Sequence, residues 1–294
     1  DIYNTGMYLA GGGSMLRGLD KRLSTKTDLP VYIAEDPLRA VVRGTGIVLK
    51  NIPKLEDIKS MVRLLRGYGV SCIEDKKKLT LNANKINNNI ANYDLVRKMR
   101  ASFWVLAPLI ARHGEAKVSL PGGCAIGIRP IDFYLSILKK MGVKLDLKDG
   151  YVYASIKKRL KSLNFSLDFP SVGVTHFFLM MASLAEGQSV ITNAAREPEV
   201  IALAKMLNKM GAKIKGHGSN IITIDGVESL NGSRLCIPPD RIEAGTFAIA
   251  VSATGGNISL NGMNPEELLL LSSLLEQSGT KITSSQNSME IKKD

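Results

Sequence analysis

The 294-residue chain is poor in the features that would place it in a membrane, a disulfide scaffold or a metal site. It has three cysteines, Cys72, Cys124 and Cys236, an odd number with no C-x-x-C spacing. That usage argues against a zinc site and for reduced thiols, and so for a cytoplasmic protein. There are three histidines, His113, His176 and His217, and none has ligand spacing to another. No metal and no other cofactor is expected. No run of about 18 apolar residues occurs, so no membrane insertion is predicted. The chain opens without a basic–apolar–small signal pattern. Aromatic residues make up 5%, with a single tryptophan. That is sparse for a protein that would stack on exposed bases.

Acidic residues are in deficit: 27 against 39 Lys and Arg, for a formal net charge of +12. A basic balance can mean nucleic acid. Here the lysines are scattered over helix faces and turns. Attraction of small anionic substrates, or solubility, accounts for the charge with no nucleic acid partner. The length permits one large or two ordinary domains with a substantial core.

From residue 55 onward one unit recurs. Each copy is an amphipathic helix, a capping glycine, a strand, a turn and a second strand. The helices are predicted at Met61–Val70, Leu135–Leu145, Leu203–Ile214 and Leu271–Ile282, each range running into the strand that follows. The paired strands are Lys78–Asn82, Tyr151–Ser155, Ile221–Asp225 and Ser288–Lys292. The glycines Gly69, Gly142, Gly211 and Gly279 recur about every 70 residues, too long for a solenoid and suited to a repeated βαβαββ module. A second helix, apolar around most of its circumference, precedes the amphipathic one. It is clearest at Thr175–Ala185, with Phe247–Ala253 corresponding, and both are expected to be buried.

One stretch stands out chemically, Ser119-Leu-Pro-Gly-Gly-Cys-Ala-Ile-Gly-Ile-Arg-Pro-Ile-Asp132. Its glycines leave backbone N–H groups free to approach an anion. Arg129 offers bidentate contact to phosphate or carboxylate. Cys124, near a fixed cation, is a candidate for an activated thiol. The same residues also describe a surface turn around a structural cysteine, and taken alone they favour that plainer reading.

This stretch resembles the active-site loop of the MurA-type enolpyruvyl transferases, the UDP-N-acetylglucosamine 1-carboxyvinyltransferase family. Asn51–Leu55, Tyr93–Ser102, Ser171–Thr175, Asn193–Glu199 and Pro239–Thr246 fit the same family in order. The resemblance covers about residues 51–294. It implies an α/β fold, an inside-out barrel of repeated βαβαββ units with an incomplete second domain. The expected organisation is a first barrel domain at 51–238 and a single repeat of the second at 239–294. The implied reaction moves the enolpyruvyl group of phosphoenolpyruvate to the 3′-hydroxyl of UDP-N-acetylglucosamine, releasing phosphate, in peptidoglycan synthesis. Cys124 matches the general acid, and Arg129 matches the arginine beside it. Pro130, Ile131, Asp132 and Phe133 continue the lining of the UDP-sugar site. Arg100 matches another nucleotide-sugar contact, or else a solvated helix end. Phe169, Pro170, Ser171 and Val172 match the uridine-binding turn, where Ser171 is alternatively a plain helix N-cap. Lys54 sits in a matching turn. The charged groups Arg196, Glu197 and Glu199, and Asp240, Arg241 and Glu243, either face the cleft or pair across domains.

Residues 1–50 resemble something else, the C-terminal part of an MreB-type actin-like ATPase. The reading there is a strand, the turn Gly11–Gly13, a helix start, a short strand at Leu29–Ala34 and a helix over Leu38–Leu49. The acidic residues and the second lobe that ATP needs have no counterpart, so no ATP binding is expected. The transferase pattern also has departures. Its N-terminal Lys-Asn pair has no match before Asn51, and its later aspartate and arginine would fall past Asp294. The resemblance thus implies weak or absent turnover. The competing expectation is a non-catalytic interaction protein, an actin-like tail fused to a partial barrel.

Overall fold

The computed structural model describes residues 7–9, 17–27, 29–33, 56–75, 78–91, 93–96, 99–121 and 131–294. The helix expected at Leu38–Leu49, the turn Gly11–Gly13, Lys54, Cys124, Arg129 and Pro130 lie outside them. The chain divides into two units. One is Lys54–Ile237 and the other joins Asp1–Pro53 with Pro238–Asp294.

In the first segment β1 (Met7–Leu9) is followed by α1 (Leu19–Thr27) and β2 (Val31–Ile33). The two strands pair in parallel, with Tyr8 opposite Tyr32. This is a small β–α–β arrangement, in line with the strand, helix start and short strand read from the sequence.

The large unit opens with α2 (Glu56–Gly67) and the hairpin β3 (Ser71–Asp75) and β4 (Lys78–Asn82). Next come β5 (Ile90–Ala91), α3 (Tyr93–Val96), a 3-10 helix (Arg100–Val105), α4 (Leu106–His113) and β6 (Glu115–Ser119). They are followed by α5 (Asp132–Lys140), β7 (Lys144–Lys148) and β8 (Tyr151–Ser155). The unit closes with β9 (Asn164–Ser166), α6 (Val172–Ala182), β10 (Gln188–Thr192), α7 (Pro198–Lys209), β11 (Lys213–Lys215) and β12 (Ile221–Asp225). Two four-stranded sheets result, ordered β5-β6-β8-β7 and β11-β12-β10-β9. In each, one parallel pair (β5 with β6, β9 with β10) adjoins antiparallel pairs. That is the signature of the repeated βαβαββ module. Among the described residues the sheets stay separate, and no ladder closes them into a barrel of strands.

The alternation along the strands sets the sheet faces. Val152 and Ala154 of β8 point into the core while Tyr151, Tyr153 and Ser155 are only half-buried. β10 and β12 alternate likewise. The core is helical at its centre. Eight of the eleven residues of α6 are buried, including Phe177, Phe178 and Leu179, as its apolar circumference predicted. Burying each such side chain contributes roughly 1.5–3 kcal/mol. Helices α5 and α7 instead bury one stripe, Tyr134, Ile137 and Leu138 in the first and Val200, Ala204 and Leu207 in the second.

The smaller C-terminal part runs α8 (Arg241–Thr254), β13 (Gly256–Asn261), a 3-10 turn (Pro265–Leu268), α9 (Leu269–Gln277), β14 (Lys281–Ser284) and β15 (Ser288–Lys293). Its sheet is ordered β13-β15-β14. Asp240 caps α8, accepting from the backbone of Ile242 and Glu243 at 2.9 and 3.1 Å. The expectation that the Phe247–Ala253 helix is buried all round fails here. Only Ala244, Gly245, Ala248 and Val251 are covered, and Ile249 is 49% exposed. Among the described residues of this part, α8 packs against β13, β15 and α9.

The repeat is written in the four helix ends. Gly69, Gly142, Gly211 and Gly279 all have positive φ, between 86° and 105°. The amide of each glycine bonds the carbonyl three residues back, and the next amide bonds the carbonyl five back. At Gly142 these are Lys139 and Leu138, both at 3.0 Å, and the other three ends repeat the pair. This is the Schellman geometry, which side chains other than glycine enter at a cost.

Candidate active site

The stretch 122–130 is bracketed by two described residues that line one crevice. Pro121, after β6, and Ile131, before α5, line one narrow crevice with Arg100, Phe103, Trp104 and Tyr134. The 3-10 helix that carries Arg100 and Trp104 follows Met99 in extended backbone and runs into α4. Arg100 is half-buried there. The structure thus brings Arg100 to the two residues that flank the glycine-rich stretch, 21 and 31 positions on in sequence.

The second expected stretch arrives from another repeat. Phe169 and Pro170 are exposed, and Ser171 and Val172 are half-buried. Ser171 is the N-cap of α6, its hydroxyl accepting from the Val174 amide at 3.4 Å. The ring of Phe169 stands edge-on to that of Phe133, with centroids 5.5 Å apart. Phe133 also meets Phe165 at 6.4 Å. Ile131, Asp132 and Phe133 therefore share one face of the unit with the turn Phe169–Val172. Along α5 this face continues as a groove of about 410 Å³ lined by Asp132, Leu135, Ser136, Lys139 and Lys140. Lys140 places its ammonium 5.1 Å from the Phe165 ring, in cation–π range.

Sequence reasoning missed the residues that hold these pieces together. The Trp104 indole N–H donates to the Tyr134 hydroxyl at 3.4 Å. Both pack on Gly173, where an added Cβ would sit 2.5 Å from the Tyr134 oxygen and 3.1 Å from the Trp104 ring. Glycine is needed there for close approach, since its φ is ordinary. Thr175 donates to the Ser171 carbonyl at 2.8 Å and accepts from the Ala195 amide at 3.1 Å. Asn193, at φ 55°, donates its side-chain amide to the Leu167 carbonyl at 2.9 Å. These bonds pin the Phe169–Val172 turn to the segment before α7. The available signals were that Trp104 is the sole tryptophan and that Gly173, Thr175 and Asn193 lie within motifs already noted.

Of the charged cluster, Arg196 is exposed while Glu197 and Glu199 are half-buried at the start of α7. Their carboxylates act on the buried His176 of α6. Burial pushes its imidazole below the usual histidine range, against a hydrogen bond to the Glu199 backbone and the charges of Glu199 and Glu197. Among the described residues no cluster of His, Cys, Asp or Glu could hold a metal ion. No described helix is long and apolar enough to cross a membrane.

Comparison with known proteins adds a family. Residues 38–294 match the family model described as EPSP synthase (3-phosphoshikimate 1-carboxyvinyltransferase). Residues 1–57 match that of MreB/Mbl protein. A UDP-N-acetylglucosamine 1-carboxyvinyltransferase of Bartonella henselae is 44% identical, the match covering 96% of this chain and 67% of that protein. UDP-N-acetylglucosamine 1-carboxyvinyltransferase 1 of Mesorhizobium japonicum is 42% identical over 97% of this chain and 68% of its own length. Among solved structures, the enolpyruvyl transferase NikO from Streptomyces tendae superposes with a TM-score of 0.68 at 21% identity, over 81% of this chain and 57% of that one. EPSP synthase from Acinetobacter baumannii gives 0.60 at 19% identity, over 79% and 56%. These two establish the fold. The chain spans about two thirds of the curated relatives' length and just over half of the solved structures.

The family model begins at residue 38 and the matches to these relatives cover 96–97% of the chain, so the transferase likeness reaches into the segment before residue 51, which the MreB/Mbl model also matches. Both family models match residues 38–57. The chain belongs to the EPSP synthase family of carboxyvinyltransferases, and within it to the UDP-N-acetylglucosamine 1-carboxyvinyltransferases.

Proposed function

We propose that the protein binds UDP-N-acetylglucosamine and transfers to its 3′-hydroxyl the enolpyruvyl group of phosphoenolpyruvate, a cytoplasmic step of peptidoglycan synthesis. The observation that carries this reading is the single face on which Arg100, the ends of the 122–130 stretch, Asp132, Phe133 and the Phe169–Val172 turn converge. Arg100 and Arg129 supply cationic contact for the diphosphate and the carboxylate. Pro130, Ile131, Asp132 and Phe133 line one side of the sugar nucleotide, and Phe169, Pro170, Ser171 and Val172 the other.

Cys124 acts as the general acid. Its thiol proton goes to the methylene carbon of phosphoenolpyruvate while the sugar oxygen bonds the adjacent carbon and loses its own proton. A proton then leaves the new methyl group and the C–O bond to phosphate breaks, restoring the double bond. No metal, nucleic acid or membrane insertion enters the scheme. The domain reading that goes with it is a first barrel domain over 51–238 and one repeat of the second over 239–294. Residues 1–50 are an actin-like segment with no ATP of their own, a reading supported by the MreB/Mbl match over residues 1–57.

Calorimetry with UDP-N-acetylglucosamine, followed by phosphate release on adding phosphoenolpyruvate, tests the proposal. The expected result is binding that persists in Cys124→Ala, with any phosphate release abolished by that change. Absence of sugar-nucleotide binding would overturn it. Co-sedimentation with actin-like filaments would then favour a non-catalytic interaction protein, the reading that the match over residues 1–57 carries.

A further inference from the structure

His176 takes no part in the scheme above. It sits in the second turn of α6 with 9% of its surface exposed. Its ring meets that of Trp104 edge to face, with centroids 5.3 Å apart at 82°. Its Nε2 atom is buried and has no hydrogen-bond partner among the described residues. An unpaired buried nitrogen is costly; an apolar ring would fill the same space without that cost but would lose the ring's hydrogen bond to the Glu199 backbone. What the imidazole adds is a polar edge and a charge that can be switched.

Trp104 connects this buried ring to the crevice. It touches His176 inside the unit, donates to Tyr134, and lines the crevice where Pro121, Ile131 and Arg100 meet. The close approach at Gly173 leaves the indole and the phenol little freedom to shift toward α6. We propose that His176 is a positioning residue for the sugar-nucleotide face. Its neutral ring fixes the Trp104 indole, and through it the Tyr134 hydroxyl and the crevice lined by Pro121 and Ile131. The ligand in this proposal rests on the function proposed above, while the contact itself does not. The charged and titratable groups around the pair are Glu197 and Glu199 at the start of α7, Arg100 on the 3-10 helix and Tyr134 on α5.

The chain reports on itself, because Trp104 is its only tryptophan. An imidazolium in contact with an indole quenches its emission. The test is acid titration of tryptophan emission in the whole chain, with UDP-N-acetylglucosamine affinity measured on the same variants. The native chain is expected to lose emission with a midpoint below the usual histidine range. His113→Ala should keep that titration, and His176→Phe should abolish it. At pH about 8, where histidine is neutral, His176→Phe should bind with near-native affinity and His176→Ala about fivefold more weakly. On acidification the native chain should lose affinity and His176→Phe should not. An unchanged titration in His176→Phe would overturn the proposal. So would native affinity and native emission in His176→Ala. If the native chain binds no UDP-N-acetylglucosamine, the proposed function falls, and the emission titration still decides whether His176 holds Trp104.

Discussion

At the residue scale a buried hydroxyl and two histidines give opposite tests. The hydroxyl of Tyr68 is buried with no partner among the described residues, and burial pushes its pKa well above the usual tyrosine range. Removing an unpaired buried hydroxyl removes a desolvation penalty. Tyr68→Phe should therefore leave the melting temperature unchanged or raise it, by an equivalent of about 1 kcal/mol at most. A clear loss of stability would reveal a partner for that oxygen. His176 and His113 act through protons. Burial lowers the pKa of His176, and slight desolvation together with the Arg112 charge lowers that of the exposed His113. The unfolded chain then binds protons more readily than the folded one just below pH 6.5. The stability they contribute is full above that value and is lost as pH falls toward the folded pKa values. Thermal melts between pH 8 and 5 should show this decline, and His176→Phe should flatten part of it.

At the scale of single elements, the first turn of α6 is where fold and site are fastened together. Ser171 caps it, Gly173 admits Trp104 and Tyr134, and Thr175 ties it to Ala195. Gly173→Ala would drive a methyl group to 2.5 Å from the Tyr134 oxygen. Overpacking of this kind costs about 1–3 kcal/mol. The expected result is a lower melting temperature together with weakened sugar-nucleotide binding, because the same contact orders the crevice. Gly187→Ala, whose Cβ would meet the Ser162 hydroxyl at 3.4 Å and whose φ is 81°, is the control. It should lower stability without touching affinity. Equal loss of affinity in both would mean that the α6 turn has no special tie to the site.

For the whole molecule the C-terminal part raises a different question. On α9 Leu269, Leu270 and Leu274 are 65%, 78% and 55% exposed, and Ile249 of α8 is 49% exposed. Exposed apolar side chains on one helix favour association. Leu270→Lys with Leu274→Lys should leave the melting temperature within about 0.5 kcal/mol of native, as expected at the surface. It should also shift any self-association seen by sedimentation toward monomer. No change in a self-associating chain would clear this face of the role. The sequence by itself determined the repeat. A glycine after each amphipathic helix is the one residue that takes positive φ without strain, and so all four helix ends were legible, as were the strand pairs that follow. It determined the buried character of α6, because no polar face exists on Val172–Ala182 to turn outward. It also carried Ser171 as a cap, since the hydroxyl and the amide it serves are three residues apart. Only the tertiary structure decided that α8 is covered on one side, because coverage depends on which neighbours are packed there. Only it decided that Arg100, Ile131, Phe133 and Phe169 share a face, and that Trp104 packs against Tyr134, Gly173 and His176 behind it. These contacts join different repeats, and no local periodicity encodes a distance between residues 104 and 176.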